Sequence, residues 1–232
     1  MARSKKASLA PPRTAIPLFG RSREQTLLRQ QLALTPVFVV KGPARVGKSR
    51  LVFDVAHELG VATAMVRCLP GDTAEVLVAR VERLLRCGWG NAQQAIASSA
   101  SLVVLDDAHQ VSAEVLHQAV SELAPGATSL GRLVVTNRDG LGGAVTGQIN
   151  ELELAGLDAA SSNQLFDALD ARFGPVAVAD DGNESALWTM TRGNPAAIAQ
   201  QFGAARVPRS DDADLRAQLL TIFLPHAYDE LL

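Results

Sequence analysis

Short apolar runs alternate with stretches of helical periodicity through the first two thirds of the chain. The apolar runs predict strands at residues 37–41, 61–67, 101–105, 133–136 and 151–154. Apolar residues at helical spacing predict helices at 22–34, from the loop after the first strand to about 59, and at 72–86, 91–99 and 112–124. Strands that alternate with helices are typical of βαβ units, so the pattern predicts an α/β fold with a five-stranded parallel sheet.

The helix before Gly60 illustrates the pattern. Its apolar residues Leu51, Val52, Val55 and Leu59 fall on roughly one face of a helix. The pattern therefore predicts a helix with one apolar face, and we expect this helix to end at the glycine.

After Gly156 the apolar spacing becomes helical only. It predicts helices at 158–173, 184–192 and 195–206. The expected organisation is a core over 16–155 followed by a small helical subdomain over 156–206. A basic, proline-containing tail at 1–15 is either a solvated arm or a docking segment. The net acidic stretch at 207–232 is either a terminal segment or the start of a further domain.

Composition narrows the class of protein. The 232 residues carry a net charge of −2, which argues against a dominant nucleic-acid-binding face. No apolar run approaches the ~20 residues that a membrane helix needs, and the basic start has no apolar segment of a secretory signal. Only two cysteines occur, Cys68 and Cys87, which favours a reducing, cytoplasmic location.

The loop after the first predicted strand carries the strongest chemical signal. It matches the pattern GxxxxGK[ST] over Gly42-Pro43-Ala44-Arg45-Val46-Gly47-Lys48-Ser49. Glycines let backbone N–H groups surround a β-phosphate, Lys48 can reach the β- and γ-phosphates, and the Ser49 hydroxyl can ligate Mg²⁺. The helix that follows turns its positive N-terminal end towards the anion. The loop therefore predicts binding of a nucleoside triphosphate with Mg²⁺.

A second element of such a site follows the third predicted strand. Four apolar residues at 102–105 precede Asp106 and Asp107, as in a Walker B strand. Ligands of open parallel sheets bind at the carboxyl ends of the strands, where these acids would lie. Asp106 would hold Mg²⁺ directly or through water, and Asp107 would polarise a water for attack on the γ-phosphate. The alternative is an acidic pair that merely caps the next helix.

The fourth predicted strand ends in Thr136-Asn137-Arg138. A basic residue there can contact the γ-phosphate from a neighbouring strand, as a sensor, or it can be an ordinary surface arginine. His109 follows the two acids and either contacts the substrate water or starts a helix.

Several motifs occur in a characteristic order. In chain order they are Leu18-Phe19-Gly20-Arg21-Ser22-Arg23-Glu24 (hhGRxxE), GPARVGKS, LVVLDDAH, LVVTNR, LELAGL at 152–157 and Gly193-Asn194-Pro195. Over roughly residues 17–206 this series resembles the STAND class of signal-transduction ATPases, which includes NB-ARC and NACHT proteins and bacterial MalT-like regulators.

The resemblance implies a three-layer P-loop NTPase core of the ASCE or AAA+-like type, with a helical lid over 156–206. It also implies that the Walker A strand lies between the Walker B strand and the sensor strand. An ADP-bound resting state and an ATP-bound state that self-associates or binds a partner protein are further implications. The residues assigned by the resemblance are Phe19, Gly20 and Arg21 near the adenine, Arg50 and Leu51 beside the α-phosphate and base, Arg138 as the sensor, and Pro195 on the adenine.

The sequence departs from the family at Arg45, where a glycine is usual. A non-glycine residue at positive φ would be strained by roughly 1 kcal/mol; otherwise the loop adopts a slightly different shape. Arg45 could also add positive charge near the phosphates. At the start of the lid, Asn194 is a favoured N-cap residue, and Pro195 fits the first turn of a helix.

The leading hypothesis is a slow, Mg²⁺-dependent ATPase that acts as an ATP/ADP switch, with Lys48, Asp107 and Arg138 as catalytic residues. The alternative is a DNA-associated AAA+-like helper ATPase, which the charge balance does not favour. A small-molecule kinase and a binding-only scaffold that has lost turnover stay open as further classes.

Overall fold

The computed structural model describes residues 16–141, 149–174 and 184–206. The predicted tail at 1–15 and the acidic segment at 207–232 lie outside the described residues.

Five parallel strands form one sheet in the order β2-β3-β4-β1-β5. The strands are β1 (Val37–Lys41), β2 (Ala62–Arg67), β3 (Ser101–Asp106), β4 (Arg132–Asn137) and β5 (Asn150–Glu153). In the central strands, residues on both faces of the sheet are buried. Val39 and Val40, which are consecutive in β1, both have no exposed surface. Since successive residues of a strand point to opposite faces, helices must cover both sides. The predicted α/β three-layer fold is therefore confirmed.

The expected position of the Walker A strand is wrong. β1 lies between β4 and β5, and the acid-bearing strand β3 lies beyond β4. The strands β1, β3 and β4 each contain a run of buried apolar residues, so such runs alone do not indicate which strands lie next to each other.

Eight helices occur among the described residues, and their bounds agree with the predicted ones to within two residues. They are α1 (Ser22–Leu34), α2 (Lys48–Glu58), α3 (Ala74–Leu85), α4 (Ala92–Ser98), α5 (Ala113–Leu123), α6 (Ala159–Phe173), α7 (Glu184–Thr191) and α8 (Pro195–Arg206). A 3-10 turn at Ala108–Gln110 was not expected. No helix in the described ranges has the length and apolar character needed to cross a bilayer.

The apolar face predicted for α2 is buried at three of its four positions. Leu51, Val52 and Val55 are fully buried, whereas Leu59 is 43% exposed. The helix ends one residue before Leu59, and Gly60 turns the chain at a φ of +65°. The turn therefore takes Leu59 off the apolar face that the helical spacing suggested.

The described residues form two compact units. The larger unit contains Glu24–Pro43 and Leu51–Leu154. Its core joins one face of the sheet to α3 and α5, with residues such as Val103, Val135 and Leu77 completely buried. This packing fixes the carboxyl ends of β1, β3 and β4 along one edge of the sheet.

The smaller unit contains Ala44–Arg50 and the described residues of Arg13–Arg23 and Ala155–Leu232. Its core lies between α6, α7 and α8 and includes Ile16, Leu169 and Ile198. Phe166 and Phe202 pack edge to face in this core, with ring centroids 5.5 Å apart. Six residues of the phosphate-loop motif and the predicted lid helices thus belong to the same compact unit.

Candidate functional site

The GxxxxGKS loop connects the end of β1 to the start of α2, as the motif requires. Gly42 and Gly47 have φ values of +147° and +99°. A Cβ at Gly47 would meet nothing within 4 Å, so its backbone angle, and not crowding, is the reason for glycine there. The Gly42 N–H donates to the Arg138 carbonyl at 3.2 Å, which ties the start of the loop to the end of β4.

Arg45 adopts a φ of +59° within this loop. Of the two alternatives that the sequence left open, the structure has the strained one, which costs about 1 kcal/mol in a residue with a Cβ. The Arg45 side chain is exposed, as are Pro43 and Ala44.

Two carbonyl groups of the loop accept hydrogen bonds from side chains of the smaller unit. The Asn194 amide donates from Nδ2 to the Ala44 carbonyl at 3.0 Å. The Arg21 guanidinium lies 3.5 Å from the Val46 carbonyl and donates to the Ala155 carbonyl at 2.6 Å. Arg21 is only 3% exposed, so these backbone acceptors compensate part of the cost of burying its charge.

The turn before α8 is built by close backbone contact. The Leu157 N–H donates to the Gly193 carbonyl at 2.7 Å. A Cβ at Gly193 would lie 1.9 Å from the Leu157 carbonyl oxygen, and one at Gly156 would lie 2.1 Å from the Arg192 carbonyl oxygen. The glycines of LELAGL and Gly-Asn-Pro are therefore needed so that these two segments can touch.

Asn194 and Pro195 begin α8 as predicted. The Asn194 side-chain oxygen accepts the N–H groups of Ala196 at 3.0 Å and Ala197 at 3.4 Å. The N-cap prediction is confirmed. The contact of the same side chain with the loop was not foreseen.

Phe19, Gly20 and Arg50 are expected near the nucleotide base or the α-phosphate, and all three have packing contacts in the smaller unit. Gly20 has a φ of +62°, and a Cβ there would lie 2.6 Å from the Cβ of Ser161 on α6. Phe19 packs against the helical core, and the Arg50 guanidinium donates to the Ile16 carbonyl. Leu51 is fully buried at the start of the larger unit's part of α2. Their nearness to a base stays a prediction.

At the end of β3, Asp106 is only 6% exposed. The Thr136 hydroxyl, on the neighbouring strand β4, donates to Asp106 Oδ1. The same hydroxyl accepts the Asp107 N–H at 3.1 Å, and Thr136 itself has no exposed surface. A single buried hydroxyl therefore fixes both the carboxylate of one acid and the backbone of the next.

Asp107 has a φ of +55°, and its carboxylate contacts Arg67 at the end of β2. Arg67 Nε donates to Asp107 Oδ2 at 3.0 Å, and Arg67 Nη2 lies 2.9 Å from the same oxygen in an ion pair. The Arg67 carbonyl accepts from Arg80, which makes a two-bond pair with Asp72. Asp107 is thus part of an ion-pair network, a contact that the sequence motif alone did not indicate.

Cys68 follows Arg67 and has a buried thiol. Its backbone N–H donates to the Asp106 carbonyl at 2.8 Å. Burial, and secondarily the carboxylates of Asp72, Asp106 and Asp107, raise the pKa of Cys68 to about 12. The thiol is therefore protonated at neutral pH and is a packing group. Cys68 and Cys87 are both free.

Arg138 follows β4 with an exposed side chain. Its N–H donates to the Asn137 side-chain oxygen at 2.8 Å, and its carbonyl accepts the hydrogen bond from the Gly42 N–H. Within the larger unit the structure thus brings Gly42, Arg138, Thr136 and the acid pair to one edge of the sheet. His109, the other polar residue considered, contacts Gln110 at 3.0 Å.

The residues expected to hold Mg²⁺ are Ser49, at the start of α2, and Asp106. In the described part of the chain there is no cluster of three or more His, Cys, Asp or Glu residues suited to a metal. A hydroxyl and a carboxylate nevertheless fit Mg²⁺, which usually takes one or two protein oxygens and completes its shell with phosphates and water. Each of the two groups by itself is therefore an oxygen donor of the kind that suits a metal arriving with a nucleotide.

Neither a protein-family model nor a curated protein matches this sequence. Among solved structures, the fold is similar to that of a Signal Transduction ATPase with Numerous Domains (STAND) protein with a tetratricopeptide repeat sensor from Pyrococcus horikoshii. The TM-score is 0.55 at 16% identity, and the match covers 94% of this chain and 34% of that one, so this chain spans about a third of its length. At this identity the likeness shows the fold alone: a three-layer α/β fold with a parallel sheet, like that of P-loop NTPases.

Proposed function

We propose that this chain binds ATP and ADP with Mg²⁺ at the loop 42–49 and hydrolyses ATP slowly. The observation that carries the proposal is the loop itself. This loop joins a buried parallel strand to a helix, and its glycines have positive φ. Its first residue, Gly42, donates its N–H to the Arg138 carbonyl at the end of β4. The same strand carries Thr136, which fixes Asp106. The function rests on this arrangement of backbone and charge.

Binding would depend mainly on the loop backbone and the start of α2. N–H groups of the loop and the positive end of the helix favour a polyphosphate. Lys48 would neutralise charge on the β- and γ-phosphates, and we place Arg50, Leu51 and Pro195 near the rest of the nucleotide on the strength of the family resemblance. We likewise place Phe19, Gly20 and Arg21 near the adenine.

Ser49 and Asp106 would hold Mg²⁺, which neutralises phosphate charge when bound. The chain's own contribution is to fix the carboxylate. Thr136 donates to Asp106 Oδ1 from a fully buried position, which restricts the rotation of that side chain. A preoriented ligand binds a metal at a lower entropic cost than a mobile one.

Hydrolysis would use Asp107 to orient and polarise the attacking water. Arg67 is bound to the Asp107 carboxylate, so the attacking water must compete with Arg67 for the lone pairs of this carboxylate. This engagement supports a slow reaction in the conformation described. Arg138 would contact the γ-phosphate as a sensor.

We further propose that the nucleotide state acts as a switch in signalling or regulation, in the cytoplasm. The structural neighbour is named as a signal-transduction ATPase with a sensor domain, and this chain corresponds to a third of it. The ATP state would then self-associate or bind a protein partner. The two free cysteines support a reducing compartment.

Phosphate release from ATP tests the catalytic part of the proposal. We expect Mg²⁺-dependent release by the wild type that is lost in Lys48→Ala and in Asp107→Asn. Equal release by all three proteins would assign the activity to a contaminant and would refute the ATPase proposal.

A further inference from the structure

We propose that Asn194 is a positioning residue of the phosphate loop. Its amide group holds the Ala44 carbonyl away from the anion site and thereby sets the direction of the next backbone N–H. The inference rests on the proposed nucleotide binding, and it adds a residue of the lid to the machinery that shapes the loop.

The Asn194 side chain uses both ends of its amide. The oxygen accepts from Ala196 and Ala197 at the start of α8, and the NH₂ group donates to Ala44, 150 residues earlier in the chain. Serine and aspartate cap helices about as well as asparagine. Aspartate has no donor when ionised, and serine is shorter and lacks the second polar atom. Asparagine is therefore specified by the loop contact and not by the cap.

The geometry of a trans peptide explains why a carbonyl contact controls an amide. The C=O and N–H of one peptide unit point in opposite directions, and no cis peptide occurs in the described ranges. Holding the Ala44 carbonyl thus orients the N–H of Arg45. In the same way, the Arg21 contact to the Val46 carbonyl orients the N–H of Gly47.

The first of these two amides belongs to a residue in the left-handed region. Arg45 has a φ of +59°, and successive N–H groups around such a residue form concave anion-binding nests. The strained backbone of Arg45 needs support from its surroundings to persist. The hydrogen bond of Asn194 supplies such support at the adjacent peptide.

The support is itself rigid. Asn194 follows Gly193, whose carbonyl accepts the Leu157 N–H at 2.7 Å. The Trp188 indole N–H donates to the Leu157 carbonyl at 2.9 Å, and the Asn194 N–H donates to the Thr191 carbonyl at 3.0 Å. Because the turn is fixed at several points, the amide is presented to the loop with little loss of freedom on binding.

The test compares the 232-residue wild type with Asn194→Ser and Asn194→Asp, using fluorescent ADP with Mg²⁺ as the probe. One neutral hydrogen bond contributes about 1 kcal/mol, or roughly fivefold in a binding constant. We expect Asn194→Ser to raise the ADP Kd about fivefold while the melting temperature stays close to that of the wild type. Asn194→Asp should weaken binding further, since its charge faces the Ala44 carbonyl.

Asn91→Asp is the matched control. Asn91 precedes α4, is exposed, and makes no side-chain cap bond, so the variant adds the same charge away from the loop. Its ADP Kd should equal that of the wild type.

Hydrogen exchange in the absence of nucleotide provides a second readout. We expect the amides of residues 44–47 to exchange about fivefold faster in Asn194→Ser than in the wild type. Unchanged exchange and an unchanged Kd, with or without a lower melting temperature, would show that Asn194 is only a helix cap and would overturn the inference. If the wild type binds no ADP, the proposed function fails, and the exchange rates still decide whether Asn194 holds the loop.

Discussion

Replacing Thr136 by valine tests how the end of β4 fixes the two acids. Valine has nearly the same shape, so the packing of this fully buried position is kept and only the hydroxyl is lost. The variant leaves the Asp107 N–H without its acceptor at 3.1 Å and removes the donor to Asp106 Oδ1. The effect therefore isolates two hydrogen bonds.

The expected cost follows from these bonds. An N–H left without an acceptor costs about 1–3 kcal/mol, and a hydrogen bond to a charged group is worth about 1.5–3 kcal/mol. Since the two terms share one hydroxyl, we expect a total near 3 kcal/mol. For a chain of this size, that lowers the melting temperature by roughly 6–12 °C. ADP affinity in Mg²⁺ should also fall, because Asp106 loses its orientation.

Thr63→Val is the matched control for thermal unfolding. Thr63 is buried in β2, and its hydroxyl donates only to the nearby Val61 carbonyl at 3.2 Å. We expect a loss of about 1 kcal/mol there, and Thr136→Ser should stay close to wild type because it keeps the hydroxyl. If Thr136→Val is no less stable than Thr63→Val, the hydroxyl does not fix the acids and the reasoning is wrong.

Three further predictions concern backbone strain and burial. Arg45→Gly should raise the free energy of unfolding by about 0.5–1 kcal/mol, since glycine accepts its φ of +59°; an unchanged or lower melting temperature would contradict this. Gly193→Ala should lower the free energy of unfolding by more than about 3 kcal/mol, because its Cβ would lie 1.9 Å from the Leu157 carbonyl oxygen. The control Gly90→Ala, whose Cβ would meet nothing within 4 Å, should lower it by about 1 kcal/mol, and equal denaturant midpoints would refute the crowding. Burial raises the pKa of Cys68 to about 12, so this thiol should resist alkylation at pH 8 until the protein unfolds; rapid labelling of the native thiol would contradict its burial. The free energy of unfolding should also fall as pH rises from about 8.5 towards 12, and Cys68→Ala should remove this loss.

Local patterns predicted the elements well because each was marked by short-range chemistry. Apolar runs predicted the strands, and helical spacing predicted the helices to within two residues. The N-cap role of Asn194 was predictable because capping depends on the residue and its next three neighbours. The positive φ of Arg45 was one of two stated alternatives, and the motif alone could not choose between them.

Relations between distant segments were not predictable in the same way. The order of β1, β3 and β4 depends on which of several apolar strands pair, and the resemblance placed β1 wrongly. The pair of Arg67 with Asp107 joins the ends of strands 40 residues apart. One signal could have indicated it: Arg67 ends β2 in register with Asp106, so a cation and an acid end adjacent strands at one edge.

The need for glycine at positions 156 and 193 also depends on contacts between distant segments. Sequence reasoning recognised them only as parts of motifs, since their necessity comes from a close approach between two segments of backbone. Likewise, the Asn194–Ala44 bond spans 150 residues. Such contacts follow from the tertiary fold and leave no periodic trace in the chain.

Calorimetric titration of the purified 232-residue chain with ADP, in Mg²⁺ and in excess chelator, tests the proposed nucleotide binding most directly. We expect saturable one-to-one binding that is stronger with Mg²⁺. Lys48→Ala should weaken this binding at least ~10-fold, through loss of about 1.4 kcal/mol or more of phosphate contact. Lys41→Ala is the matched control, because Lys41 pairs with Glu151 at 3.0 Å at the end of β1 and has no proposed phosphate contact. Absence of binding, or binding that Lys48→Ala and Lys41→Ala affect equally, would contradict a polyphosphate site at the loop 42–49.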